Sequence, residues 1–211
     1  MTSRNKTDSK RFAHLPHNQA AENNKLAILN GWKSLELAKR RVFEVGSGTG
    51  QHGVFFCRHC PELHWQPSEV ADNLAVLKSW HQAAKEEGIA NFLPPVLFDI
   101  TNKEWPEFRF DTVYSANVLH IVSRDVARSL VELLTAGLSS GQQFVCYGPF
   151  KLDGQFTTDS NREFDTWLKQ QGYGGLLDMA QIQDWSEQQL VLKRRLDMPA
   201  NNFLLLFEKG E

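Results

Sequence analysis

The chain has 211 residues, 41% hydrophobic and 23% charged, with a formal net charge of −2 when histidine is neutral. That length can bury one substantial core, and that charge argues against a general polyanion binder, so no nucleic-acid partner is expected. Three cysteines are too few and too irregular for a disulfide framework, and no apolar run is long enough to span a bilayer. The composition therefore predicts a soluble cytoplasmic protein with no membrane partner.

Residues 1–16 include Arg4, Lys6, Lys10 and Arg11 but lack the apolar core of a secretory signal. They read as a flexible arm ending at Pro16, with residues 17–211 as a single domain. From His17 to about Lys39 the pattern is helical, with Leu26, Leu29, Trp32 and Leu37 as its buried face. This helix either covers one end of a sheet or caps a ligand cleft with Glu22, Asn23 or Asn24.

The next stretch, Arg41-Val42-Phe43-Glu44-Val45-Gly46-Ser47-Gly48-Thr49-Gly50-Gln51-His52-Gly53, reads as a buried strand at 42–45, a glycine turn and the start of a helix at 51–60. Glycines suit a turn that must bend sharply and bring backbone close to a ligand. Residues 48–53 also satisfy G-x-G-x-x-G, which points to a pyrophosphate on a helix N-terminus and hence to a nicotinamide cofactor. Glu44 opposes that reading: a carboxylate facing the crevice repels a pyrophosphate and attracts a cation. S-adenosylmethionine (SAM) carries an ammonium and a sulfonium and no phosphate, and it suits the E-x-G-x-G-x-G pattern better. Within the helix, Cys57 and Cys60 with His52 and His64 nearby lack a second paired motif, so no metal site is expected.

A second strand is predicted around Leu63 to Pro67. Glu69 lies near the distance, ~20 residues past the loop, at which a doubly wound fold sets an acid on ribose hydroxyls; its other reading is a helix N-terminal acid. After a helix over 70–87, Phe92 to Phe98 reads as a third strand. Asp99, with Ile100 beside it, is placed to meet an adenine ring, although Thr101-Asn102-Lys103-Glu104 also reads as a capping box. Phe110 to Ala116 is the fourth strand. The loop leaving it, Asn117-Val118-Leu119-His120-Ile121, falls where strand order reverses and ligands bind, so Asn117 and His120 should face cofactor and acceptor.

Helix 124–138 and a fifth strand, Gln143 to Tyr147, follow, ending in Gly148-Pro149-Phe150. Ser160-Asn161-Arg162-Glu163 reads as a capping box for a helix with Phe164, Trp167 and Leu168; Ser160 and Asn161 are also candidate substrate contacts. A helix around 178–188 precedes strands 189–197 and 203–208. The five residues between those strands, Met198-Pro199-Ala200-Asn201-Asn202, are too few for a crossover, so the two strands are antiparallel neighbours. If strand six runs with the others, this turn reaches the glycine-loop edge, and Asn201 and Asn202 are either turn formers or acceptor contacts. The basic clusters Lys39-Arg40-Arg41 and Lys193-Arg194-Arg195 read as solvated faces.

This order of elements resembles the class I SAM-dependent methyltransferases. The blocks Trp65-Gln66-Pro67-Ser68-Glu69, Ala116 to Ile121, Tyr147-Gly148-Pro149-Phe150, Ser160 to Asp165 and Met198 to Asn202 resemble more closely a branch of small, single-domain, methyltransferase-like proteins of unknown substrate. The resemblance implies a Rossmann-like α/β fold, a doubly wound seven-stranded mixed sheet in the order 3-2-1-4-5-7-6 with its last strand antiparallel. It implies that Glu44, Gly46, Ser47, Gly48, Thr49 and Gly50 hold the methionine end of SAM, Glu69 the ribose, and Asp99 with Ile100 the adenine. Two departures stand out: Glu69 where the branch usually carries Asp, and Glu22-Asn23-Asn24 where it tends to carry Glu-Arg-Asn.

Methyl transfer requires chiefly that the acceptor atom be aligned with the methyl group and water kept out. An oxygen or nitrogen acceptor also loses a proton, and His120 is the candidate base because imidazole titrates near neutrality; Tyr147 is a second candidate. The strand-four loop lacks the Asn/Asp-Pro-Pro-Tyr/Phe block of enzymes that methylate amino groups of bases or glutamine, which leaves a small-molecule acceptor. The expected products are a methylated acceptor and S-adenosylhomocysteine (SAH). The alternatives are a SAM-binding protein that acts through a partner, suggested by the absence of a strong acid/base pair, and an NAD-linked oxidoreductase.

Overall fold

A computed structural model describes residues 12–107 and 109–211. Helix α1 (Gln19–Ser34) leads into β1 (Arg41–Val45), α2 (Gln51–His59), β2 (His64–Glu69), α3 (Leu74–Glu86) and β3 (Val96–Leu97). Then come β4 (Thr112–Ala116), α4 (Arg124–Gly137), β5 (Gln143–Gly148), α5 (Asp159–Gln170), α6 (Met179–Trp185), β6 (Leu190–Met198) and β7 (Asn202–Lys209). The seven strands form one sheet in the order β3-β2-β1-β4-β5-β7-β6, with β7 antiparallel to both its neighbours. The seven-stranded mixed sheet expected from the sequence is therefore the observed one.

Strand side chains alternate between the two faces. Val42, Trp65, Tyr114 and Val145 face a core completed by α1, α2 and α3, whereas Phe43, Val113, Phe144 and Phe207 face a core completed by α4 and α6. Both faces of the central strands are covered, which is why β1, β4 and β5 read as near-continuous apolar runs. The edge strand β6 presents Lys193, Arg194 and Arg195 outward, and such charges blunt edge-to-edge pairing. Among the described residues no helix is long and apolar enough to cross a membrane.

Several boundaries differ from expectation for local reasons. The third strand shrinks to two residues plus a bridge between Trp65 and Phe92, because Pro94 and Pro95 have no N–H to give the ladder. Helix α3 starts at Leu74, not at 70, after a turn over 70–73. The expected capping box at Thr101–Glu104 does not form; a 3₁₀ turn, Ile100–Asn102, is capped by Asp99 and closed by Lys103 in the left-handed region. Nor does Ser160 cap α5, since Thr158 accepts from the Asn161 N–H and Ser160 lies inside the helix. Helix α1 ends at Ser34, Leu26 is on its exposed side, and Leu37 is buried beyond its end. The arm expected over 1–16 lies mostly outside the described residues, but its last part is packed: Phe12 sits 5.1 Å from the Trp80 ring, and the Trp80 indole donates to Pro16 O.

Candidate functional site

A cleft of about 1090 Å³ opens at the carboxyl ends of β1 and β4, where the strand order reverses. That is just above the ~300–1,000 Å³ range of small-molecule sites. Its floor is the loop between β1 and α2, in which Gly46, Gly48 and Gly50 all have positive φ, 69°, 57° and 86°. The loop is tied to β2: Ser47 N–H donates to Ser68 O at 2.9 Å, and Ser68 N–H returns to Ser47 Oγ at 3.1 Å. A Cβ at Gly46 would lie 2.6 Å from Val118, whereas one at Gly48 would meet nothing within 4 Å. Gly48 thus serves the turn and leaves open space beside the loop.

Three carboxylates line this end. Glu44, 1% exposed, accepts a hydrogen bond from the Trp65 indole at 2.8 Å. Burial raises its pKa to about 7; hydrogen bonds from Ser47 and Trp65 oppose the rise and the Glu69 charge adds to it. Glu69 accepts from Gly48 N–H at 2.7 Å, from Val70 N–H at 2.9 Å and from Asn73 Nδ2 at 3.4 Å. A carboxylate has about four lone-pair sites, so Glu69 keeps one clear site, and the long Asn73 contact is the one most easily given up. Asp99 accepts from the backbone N–H and the hydroxyl of Thr101, and those two bonds hold its pKa below the usual value. It is both the turn former and a cleft residue.

The opposite side is built from the β4 loop and α1. Asn117 occupies the left-handed region (φ 59°), which Asn tolerates, and its N–H donates to Tyr147 O at 2.8 Å. His120 is buried against Phe164, ring centroids 5.6 Å apart at 68°. The expectation that His120 titrates near neutrality does not hold: burial lowers its pKa to about 4, so the ring is neutral. Burial also raises the Tyr147 pKa, with a hydrogen bond from the Asn24 side chain opposing the rise. Asn24 Oδ1 lies 2.6 Å from His52 Nε2. Burial is the main cause that lowers the His52 pKa to about 4, so α1 reaches the sheet through an uncharged network. Helix α1 takes both of the roles foreseen for it: Ile28, Leu29 and Trp32 cover the sheet, and Asn23 and Asn24, but not Glu22, line the cleft.

The turn between β6 and β7 does arrive at the glycine-loop edge, but its two asparagines part. Asn202 lines the cleft; Asn201 does not, and its side chain donates to Ser160 Oγ at 3.2 Å. Ser160 is likewise outside the cleft lining, whereas Asn161 is within it. Gly50 also stands back: its N–H bonds to Ser47 O, and a Cβ there would press on Leu77 at 2.7 Å. The cleft thus brings together Glu44, Gly46, Ser47, Gly48, Thr49, Glu69, Asp99, Ile100, Asn117, His120, Tyr147, Asn161 and Asn202.

The sequence pointed to Asn24 as a cleft residue but not to the bonds between Trp65 and Glu44 or between Asn24 and His52. Trp65 was visible only as a member of a block, and His52 only as a helix residue near Cys57 and Cys60. Cys57 and Cys60 are buried free thiols. The basic clusters are locally paired: Arg41 with Asp111 at 3.0 Å, Lys39 with Glu62 at 2.9 Å and Lys193 with Glu208 at 3.4 Å.

A family model described as a protein of unknown function (DUF938) matches residues 15–209. Solved structures share the fold. An O-methyltransferase family 2 protein from Planctomyces limnophilus, in complex with apigenin, aligns with a TM-score of 0.69 and 18% identity, covering 81% of this chain and 51% of its own. Human N-acetylserotonin methyltransferase in complex with SAM aligns at 0.71 and 14%, covering 92% and 53%. An O-methyltransferase family protein from Burkholderia thailandensis aligns at 0.65 and 16%, covering 97% and 63%. The chain thus spans between half and two-thirds of the length of these proteins. At such identities the likeness shows the class I methyltransferase fold.

Proposed function

We propose that this chain, which belongs to the DUF938 family of proteins of unknown function, is a SAM-dependent methyltransferase of a small-molecule acceptor. One observation carries the reading: a buried carboxylate, Glu44, at the glycine-loop end of a cleft whose described lining contains Glu69 and Asp99 but no Lys or Arg. Such a donor set fits a cationic ligand without phosphate, and the open space at Gly48 admits it.

When bound, SAM supplies a methyl group already activated on its sulfonium sulfur. Glu44 and the loop 46–49 would hold the amino-acid end, Glu69 the ribose, and Asp99 with Ile100 the adenine. Asn117 would border both ligands. His120 and Tyr147 would orient the acceptor and exclude water. The neutral His120 ring offers a nitrogen to the acceptor O–H or N–H. A base with a pKa of about 4 is too weak to ionise an alcohol beforehand. It suffices if the proton moves late, because a heteroatom becomes strongly acidic as its new bond to carbon forms.

Calorimetric titration with SAM tests the first half of this reading, and transfer of radiolabelled methyl into a metabolite extract tests the second. Binding without transfer would favour a SAM-binding protein that acts through a partner. That second reading has its own support: among the described residues that line the cleft, His120 and Tyr147 have no charged acid/base pair beside them.

A further inference from the structure

Resting on the methyltransferase reading, we propose that the acceptor is an uncharged aromatic molecule bearing a hydroxyl donor, packed on Phe164 and recognised by the side-chain carbonyls of Asn161 and Asn202. The first support is the direction of two amides. Asn161 Nδ2 donates to Asn201 O at 3.1 Å and Thr157 Oγ1 at 2.9 Å, and Asn202 Nδ2 donates to Pro199 O and Ala200 O, both at 3.1 Å. Backbone carbonyls only accept, so both amide nitrogens are committed to the protein. What each residue has left for a ligand is Oδ1, an acceptor. The cleft wall here therefore asks for donors on the ligand.

Charge points the same way. The carboxylates Glu44, Glu69 and Asp99 lie in the described lining with no Lys or Arg among them, and burial keeps His52 and His120 neutral. An acceptor bearing phosphate or carboxylate would bring its own acceptors to the two Asn carbonyls, with no Lys or Arg in the described lining to offset desolvation. A hydroxyl supplies the one hydrogen that an Asn carbonyl or the neutral His120 ring can accept.

Aromatic contacts supply the shape. His120 meets the Phe164 ring edge-on, and Phe164 stacks on Trp167, centroids 5.8 Å apart at 11°. Trp167 is 50% exposed, so the three rings run from the buried end of the cleft to solvent. Asn161 and Phe164 are three residues apart on α5 and share a helix face. A flat ring laid beside Phe164 extends an existing stack and brings its substituent to the Asn161 carbonyl.

The test uses naphthol, methoxynaphthalene and naphthoate substituted at the same ring carbon, each titrated by NMR into SAH-saturated protein. Naphthol should bind at least about tenfold more tightly than either of the others, the size of one well-made polar discrimination. Phe164→Ala should weaken naphthol about tenfold, and Phe164→Leu, which keeps apolar volume at that position, should weaken it as well. SAH affinity of each variant verifies folding. Naphthoate or methoxynaphthalene binding as tightly as naphthol, no naphthol binding, or indifference to Phe164→Leu would overturn the proposal. Failure of SAH itself to bind would instead overturn the methyltransferase reading.

Discussion

The Trp65 indole N–H donates to Oε2 of Glu44 at 2.8 Å inside the core, 21 residues away in sequence. β1 and β2 run parallel with Glu44 opposite Pro67, so Trp65, two residues earlier on β2, lies on the same sheet face. The bond is one of two that favour the ionised carboxylate against burial. Trp65→Phe keeps a ring and removes the donor. A hydrogen bond to a charged group contributes ~1.5–3 kcal/mol, so SAM affinity at neutral pH is expected to fall by roughly tenfold to a hundredfold. Calorimetry on the variant, with circular dichroism to confirm folding, checks this.

Glu44 also sets a pH dependence. Its pKa rises from the ordinary 4.5 to about 7, so between those values the folded protein holds a proton that the unfolded chain has lost. The resulting stabilisation is fully present below 4.5 and is lost as pH rises through about 7. A cationic ligand favours the ionised form, so SAM affinity should run the opposite way and increase with pH through that value. One unit below it, SAM binding should release a proton from Glu44, measurable as a difference in heat between buffers of unlike ionisation enthalpy. Glu44→Gln should abolish that difference.

The succession of strands along the chain, the glycine loop and the carboxylates were legible in the sequence because each has a local cause: apolar runs for buried strands, glycines for positive φ, acids near strand ends. The order of the strands within the sheet came from the family resemblance. What was not legible depends on which side chains meet across elements. Trp65 on Glu44 and Asn24 on His52 need the register of β1 with β2 and the seating of α1, neither of which leaves a spacing signal. The low pKa of His120 follows from burial beside Phe164, a residue 44 positions away in sequence. Asn201 and Asn202 looked equivalent because a turn sequence does not say which of two neighbouring amides faces inward.

Gly53 is required for close packing. A Cβ there would lie 2.5 Å from Phe92 and 2.7 Å from the Trp65 indole. Gly53→Ala is expected to destabilise the fold by ~1–3 kcal/mol through overpacking. By displacing the indole it should also weaken SAM binding. Urea unfolding, with the change read as a lower midpoint at unchanged slope, measures the first effect.

Asn24 joins α1 to the sheet by meeting both His52 and Tyr147. Asn24→Leu leaves a buried imidazole nitrogen without its partner, at a cost of ~1–3 kcal/mol. Asn24→Asp keeps an oxygen acceptor at that position and should retain more of the stability, though it adds a fourth carboxylate to the cleft. Thermal unfolding of the pair of variants ranks the two effects.

The central claim is that the cleft above the glycine loop binds SAM through a buried carboxylate. Calorimetric titration of SAM into the wild-type protein and into Glu44→Gln, one unit above the Glu44 pKa of about 7, tests it most directly. One molecule per chain should bind the wild type, with affinity weakened at least about tenfold in Glu44→Gln, the loss expected for one charge-assisted contact. Equal affinity in the two proteins, or no heat from the wild type at millimolar SAM, would contradict it.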